Sequence, residues 1–204
     1  MSIFVIRHGE TAGNANRVVQ HPETPLSPRG LEQARKLAER LTGLGVERIL
    51  SSDYARAAGT AAALQERTGA PLAHHPELRE RHYGELRGRP YTEVGDYIMM
   101  EGYEPPGGES WDAFHARVDR AWERIQETSE AASGNLAVFT HGLVCYSLAL
   151  RHLRLADGGE VPTRFGNTAL TIVDPAPPWQ VRLLACCAHL DGVAADDRSS
   201  PSGL

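Results

Sequence analysis

Lysine is almost absent from this 204-residue chain: of 21 basic residues only Lys36 is a lysine, so the remaining 20 are arginines. A lone arginine is therefore weak evidence of function, and only arginines that a motif places carry weight. Positive charge is short overall, with 21 basic against 26 acidic residues, a net charge of −5 and a pI near 6.0. That balance lacks the clustered basic surplus of a nucleic-acid binder. Cysteine is scarce too. Cys145, Cys186 and Cys187 are odd in number and two are adjacent, a poor basis for a disulfide framework and without the paired spacing of a zinc site. They are expected to act as small apolar residues in a reduced compartment. Long apolar runs are missing as well: the first is broken by Arg7 and no later one approaches about 18 residues, so neither a signal-peptide core nor a membrane span is expected. The expected location is the cytoplasm. No sequence signal speaks to an oligomeric state.

What is present begins at residue 2. Ser2-Ile3-Phe4-Val5-Ile6 is apolar after its serine and rich in β-branched residues, and Arg7-His8-Gly9-Glu10-Thr11 follows directly. A continuous apolar run of this length fits a strand buried on both faces. In an open α/β sheet, ligands bind beyond the carboxyl ends of the strands, so Arg7 and His8 would face a substrate crevice, with Gly9 turning the chain.

Further along, Asn14 to Pro25 reads as an extended connection. Ser27-Pro28 then reads as a helix start, with Leu31, Ala34, Leu37, Ala38 and Leu41 as its apolar stripe and Gly43 and Gly45 as its end. Arg48 to Ser52 reads as a second strand, Asp53 as the cap of the next helix, and Arg56 as a cation in its first turn. Leu72 to His75 gives a third strand. Its adjacent His74 and His75 point to opposite faces and so cannot readily share a metal. Residues 77–110, rich in glycine, proline and charge, are long for a loop in a compact domain and read as a structured flap over the site. Ser110 caps a helix with Trp111, Phe114, Val118, Ala121, Trp122 and Ile125 on one face. Asn135 to Thr140 is a strand that ends in His141-Gly142, repeating the pattern at the start of the chain. A helix over Leu143 to Leu155 and strands over Asn167 to Val173 and Gln180 to Leu184 close the fold, and a disordered tail is expected over 191–204. The chain is long enough for one core and short for two, so residues 1–190 are expected to form one domain. The fold class expected is α/β, a three-layer α/β/α sandwich with a mostly parallel central sheet.

In such a layout Arg7, His8, Arg56 and His141 meet at one sheet edge, a basic edge on an acidic protein. Guanidinium forks match phosphate oxygens and stay charged at any working pH. Those cations disfavour protonation of His8, and a neutral imidazole is the form that attacks phosphorus. Arginines can supply the charge neutralisation that phosphoryl transfer needs, so neither metal nor cofactor is expected. A leaving alkoxide needs a proton, and Glu80 on the flap is the best candidate donor. Burial would raise its pKa while the nearby arginines lower it, which leaves the net direction open.

The run Arg7-His8-Gly9-Glu10-Thr11, followed by Asn14, resembles the signature of the histidine phosphatase superfamily, the phosphoglycerate-mutase-like enzymes, and the likeness extends over about residues 3 to 190. The resemblance implies that His8 becomes a phosphohistidine, that Arg7, Arg56 and His141 hold the phosphoryl oxygens, and that Glu80 donates the proton and later activates water. It implies that Asn14 and Gln20 line the phosphate pocket, with Gly142 beside His141 also in the substrate-binding set. Glu80-Arg81-His82-Tyr83-Gly84 is similar to a segment of the mutase branch in which Arg81 and Tyr83 touch substrate. Pro106-Gly107-Gly108-Glu109-Ser110 is similar to one common in the phosphatase branch, and the chain lacks the long insertion with paired arginines that cofactor-dependent mutases use. Two positions depart from the pattern: His21 stands where many members have glycine, at the pocket mouth, and Gly59 replaces a frequent glutamine in what reads as a packing position. The resulting expectation is a metal-independent phosphatase acting on a small phosphate monoester. The alternatives are a cofactor-dependent phosphoglycerate mutase, a phosphoprotein phosphatase with a more open cleft, and a non-catalytic domain that binds phosphorylated ligands.

Overall fold

A computed structural model of the chain describes residues 1–100, 102–156 and 159–190. The tail expected over 191–204 lies outside these residues. In chain order the elements are β1 (Ile3–Arg7), α1 (Ala12–Ala15), α2 (Pro28–Leu41), β2 (Val46–Ser51), α3 (Ala55–Thr68), β3 (Leu72–His74), α4 (Tyr91–Val94), α5 (Trp111–Glu130), β4 (Asn135–Thr140), α6 (Gly142–Arg151), β5 (Leu170–Val173) and β6 (Val181–Cys186). The strands form one sheet in the order β3-β2-β4-β1-β5-β6. The four strands from β3 to β1 are mutually parallel, and β5 and β6 complete the sheet antiparallel.

Alternation along β1 explains the layers. Phe4 and Ile6 pack with Leu37, Leu41, Ala61 and Leu64 of α2 and α3. Ile3 and Val5 face the other way, into a core with Phe114, Val118, Trp122 and Ile125 of α5 and Leu148 of α6. All five β1 residues are buried, as a strand covered on both faces must be. This is the three-layer α/β arrangement with a mostly parallel sheet that the sequence pattern predicts. Among the described residues no helix is long and apolar enough to cross a membrane.

Ser27 and Ser110 cap α2 and α5 as expected, their Oγ atoms accepting from the N–H of Gly30 and Ala113. Other boundaries differ. Tyr54, not Asp53, is the N-cap residue of α3 and makes no side-chain cap bond, because Asp53 is taken by Arg79. The Asn14–Pro25 connection is preceded by a single helical turn, α1, closed by a reciprocal box between Thr11 and Asn14. Leu31 is 59% exposed and lies off the buried stripe of α2. The last helix stops at Arg151, and β5 begins at Leu170 because Asn167 and Thr168 turn back to bond the His8 carbonyl.

Residues 77–110 are ordered by short turns at Pro76–Leu78, Gly84–Leu86 and Asp96–Met99 together with α4. Gly84 sits at φ +53°, and a Cβ there would lie 2.0 Å from the Pro106 carbonyl oxygen. Only glycine lets those two parts of the flap approach so closely.

Candidate active site

His8 is the first residue beyond β1, and its backbone is fixed from both sides. Its N–H donates to Thr140 O at 2.9 Å, and its carbonyl accepts from Asn167 Nδ2 at 3.0 Å. The next residue, Gly9, passes so close to α2 that a Cβ would stand 2.7 Å from Gly30 O, so the glycine serves close approach rather than a special φ. The imidazole Nδ1 lies 2.7 Å from Gly9 O. A carbonyl can only accept, so Nδ1 carries the proton and Nε2 keeps its lone pair. That lone pair faces Arg56, whose Nε–H donates to it at 3.3 Å. Burial, and then the charges of Arg56 and Arg7, hold the His8 pKa well below the usual imidazole value.

His141 lies beyond β4, its ring centroid 5.1 Å from that of His8. Its Nε2 meets Ser52 Oγ at 2.9 Å, while its buried Nδ1 has no partner within the chain. Burial again is the main reason its pKa is depressed, followed by Arg56 and His8. Arg7 anchors Nη1 on the Phe165 carbonyl and leaves Nε buried and unpartnered, as is Asn14 Nδ2. Arg56 gives Nη1 to the His21 carbonyl at 3.1 Å. Its burial brings its pKa down to about 10, which still leaves it charged at neutral pH. Buried donors without partners are costly in a folded protein. A ligand rich in acceptor oxygens would satisfy them.

Glu80 closes the cleft from the flap side. Oε1 accepts from the Arg81 N–H at 3.0 Å and Oε2 from the Leu143 N–H at 3.2 Å, so Gly142 acts through its backbone by opening the helix turn that presents Leu143. These bonds and the charges of Arg56 and Arg7 favour the carboxylate, but burial outweighs them and the pKa is raised. The structure thus settles a direction that opposing terms leave open in the sequence. A raised pKa is what a carboxyl group needs to hold a proton for a leaving alkoxide.

Arg7, His8, Asn14, Gln20, Arg56, Glu80, Arg81 and Tyr83 all border one cavity of about 20 Å³, room for roughly one water. Gln20 is held by Thr11 Oγ1 at 2.7 Å. Arg81 has a different task from the substrate contact its motif implies: Nε, Nη1 and Nη2 donate to the carbonyls of Glu109, Ile98 and Tyr103, and its guanidinium lies 4.0 Å over Trp111. It ties the flap together, and the buried Tyr83 packs in the same wall. His21 serves through its carbonyl rather than its ring, and Gly59 packs against Leu26. Three further residues reach the cavity that the motifs do not mark: Tyr54, Arg87 and Tyr91. Tyr54 stands two positions before Arg56 and could have been found from that spacing, whereas Arg87 and Tyr91 carry no such signal.

The family model described as the histidine phosphatase superfamily (branch 1) matches residues 3–178. The chain belongs to that superfamily. "Probable phosphoglycerate mutase GpmB" of Enterobacter sp. (strain 638) is 30% identical over 97% of this chain and 98% of its own length. Among solved structures, a candidate alpha-ribazole-5'-P phosphatase from Escherichia coli str. K-12 substr. MG1655 superposes with a TM-score of 0.74 at 26% identity, covering 90% of this chain and 95% of that one. A phosphoglycerate mutase from Bacillus anthracis str. Sterne reaches a TM-score of 0.80 at 22% identity over 94% of this chain and 95% of its own, a likeness of fold. Relatives of this histidine phosphatase thus bear both mutase and phosphatase names.

Proposed function

We propose that the chain is a cytoplasmic, metal-independent phosphatase that hydrolyses a small phosphate monoester through a phosphohistidine on His8. The observation that carries this reading is the state of His8: Nδ1 is committed to the Gly9 carbonyl, while Nε2 is unprotonated and faces Arg56 in a cleft of unpartnered donors. In the first step the Nε2 lone pair forms a bond to phosphorus and the ester P–O bond breaks, and Glu80 gives its proton to the departing alkoxide. In the second, the Glu80 carboxylate takes a proton from water, the water oxygen bonds to phosphorus, and the N–P bond breaks to release inorganic phosphate. Arg7, Arg56, Asn14 and His141 surround the transferring oxygens and stabilise their charge.

Hydrolysis rather than transfer is favoured by the Pro106–Ser110 segment and by the absence of the inserted arginine pair. The second reading, a mutase, is favoured by the Glu80–Gly84 run and by the names of the relatives. The test is hydrolysis of para-nitrophenyl phosphate in excess EDTA by the native protein and by His8→Ala, with denatured samples kept alkaline and probed for phosphohistidine. Turnover that survives EDTA and is lost with His8→Ala supports the phosphatase. Inactivity until a bisphosphoglycerate primer is added would transfer the reading to the mutase, and inactivity throughout, with no phosphohistidine, to the binding domain.

A further inference from the structure

Beyond the small inner cavity lies an outer bay of about 570 Å³. The two share Tyr54 and Arg87 in their walls, and these side chains are joined: Arg87 Nη2 donates to the Tyr54 hydroxyl at 3.0 Å. If the phosphoryl group is held at His8, the alcohol portion of an ester larger than the inner cavity must pass this pair. The inference therefore rests on the phosphoryl-transfer reading.

The two partners are not equally held. Tyr54 is 7% exposed. Its ring lies between the guanidiniums of Arg56 and Arg79, 5.2 and 5.6 Å from its centroid, and it meets the His141 ring edge-on at 5.4 Å. Moving Tyr54 would disturb the phosphoryl site itself. Arg87, by contrast, is half-buried at the end of the Gly84–Leu86 turn, and the hydroxyl is the one side-chain partner seen for its guanidinium among the described residues. Arg87 is the half that can swing.

Charge pairing in the bay singles out the same residue. Arg79 is neutralised by a two-pronged pair with Asp53. Glu23 is exposed, where solvent and salt screen it. His82 accepts the Gly84 N–H on Nδ1 at 3.1 Å, and burial, with Arg87 next, disfavours its protonation. Arg87 thus remains a permanent cation whose five N–H donors meet one neutral hydroxyl. An anion placed in the bay would replace a neutral hydrogen bond with a charge-assisted fork, which is about twice as strong per bond.

We propose that Arg87 is a specificity-determining residue: it latches the inner cleft against Tyr54 and opens toward esters whose alcohol portion carries a second anionic group, a carboxylate or another phosphate. Such substrates replace the latch with a stronger bond as they enter, whereas neutral alcohols break it without compensation.

The test uses esters matched except for that group: glycerol 3-phosphate against 3-phosphoglycerate, and phenyl phosphate against 4-carboxyphenyl phosphate, each with native protein, Arg87→Gln and Arg87→Lys. A lost charge-assisted bond corresponds to roughly 10- to 100-fold in kcat/KM. Arg87→Gln should lower kcat/KM for the carboxylate member of at least one pair by at least about tenfold more than for its neutral twin, chiefly through KM, with Arg87→Lys recovering part of the difference. Equal losses within both pairs, or no loss in either, would overturn the assignment while leaving the phosphatase reading intact. If the native protein turns over none of the four esters, the phosphatase reading fails and this inference falls with it. Should Arg87→Gln prove unfolded by circular dichroism, the Arg87→Lys comparison alone decides, since loss of the fork with retention of charge must still narrow the preference.

Discussion

The two walls of the cleft are fixed in different ways. Arg7, His8 and His141 stand at the ends of β1 and β4, which pair in parallel through five consecutive residue pairs from Ile3↔Leu136 to Arg7↔Thr140, and both strands are covered on both faces. Their position follows from regular hydrogen bonding and buried apolar area. Glu80 stands in a segment with little regular structure, held by side chains that reach for backbone carbonyls. Arg117 of α5 donates to the carbonyls of Glu77, Arg79 and Glu80 while pairing two-pronged with Glu109, and Arg81 does the same from within the flap. A strand end needs many residues to change before it moves. A flap pinned by two guanidiniums can be released by one, so the nucleophile sits on the stiff wall and the proton donor on the adjustable one.

The largest expected effect tests that division of labour. His8→Ala should remove phosphohistidine and lower turnover by at least about 10⁴-fold, the scale of losing a nucleophile. Glu80→Gln should cost about 10²- to 10⁴-fold on an alkyl phosphate. With para-nitrophenyl phosphate, whose leaving group needs no proton, it should instead give a burst of nitrophenolate and accumulate phosphohistidine because water is no longer activated. Absence of the burst, with equal losses on both esters, would remove Glu80 from the donor role.

Next in size is the clamp. Arg117→Ala strips the flap carbonyls of their donor and leaves the Glu109 carboxylate half-buried without its cation, which should destabilise the protein by roughly 2–4 kcal/mol, near the lower end for breaking a buried pair. The loss should be local as well as global: hydrogen exchange over 77–110 should accelerate far more than over β1 and β4. Uniform acceleration across both walls would mean that the sheet edge also depends on Arg117.

This difference in construction also explains what the sequence made legible. Arg7, His8 and His141 were readable because an apolar strand followed by a basic residue and glycine fixes where side chains emerge, and Arg56 because it stands in the first turn of a helix. Phosphate-binding Asn14 came with its motif, and the α1 turn that holds it was hidden in a segment read as extended. Within the flap, residue types were readable and their partners were not. Nothing local distinguishes Arg81, spent on three carbonyls, from Arg87, which faces a single hydroxyl, in a chain with 20 arginines. Arg117 lies on a helix face whose pattern gave no hint that it reaches some 40 residues back to Glu77. Asp53 looked like a helix cap because its type suits one, and a long-range pair with Arg79 took it.

The stiff wall should also leave a signature in the pH dependence of stability. His8 and His141 take a proton near the ordinary 6.5 when unfolded, but refuse it when folded. The stability they confer is present above pH 6.5 and is lost as the pH falls below it, at up to roughly 1.4 kcal/mol per pH unit for each ring. Glu80 has the opposite sign: its folded pKa lies above the ordinary 4.5, so its contribution is lost as the pH rises from 4.5 through that raised value. Two imidazoles against one carboxyl predict a net loss on acidification below pH 6.5. Urea titrations at successive pH values should show it, and His8→Asn should reduce the slope by about half. A slope unchanged by His8→Asn would mean that the ring is already charged in the folded protein.

The smallest effect compares two helix caps, one per wall. Ser110 accepts the Ala113 N–H at 3.1 Å and leads the flap into α5. Ser27 accepts the Gly30 N–H at 3.0 Å, but its hydroxyl also donates to Glu10 Oε1 at 2.8 Å, tying the loop after His8 to α2. Ser110→Ala should therefore cost about 1 kcal/mol, the usual value of a cap, or roughly 2–4 °C in Tm for a chain of this size. Ser27→Ala loses the cap and the link to the catalytic loop together, so its cost should be larger and accompanied by a fall in kcat. If the two caps prove equal in Tm and neither touches kcat, the rigidity of the His8 loop comes from the β1–β4 ladder and the Asn167 bond alone, and the Ser27–Glu10 link is incidental to it.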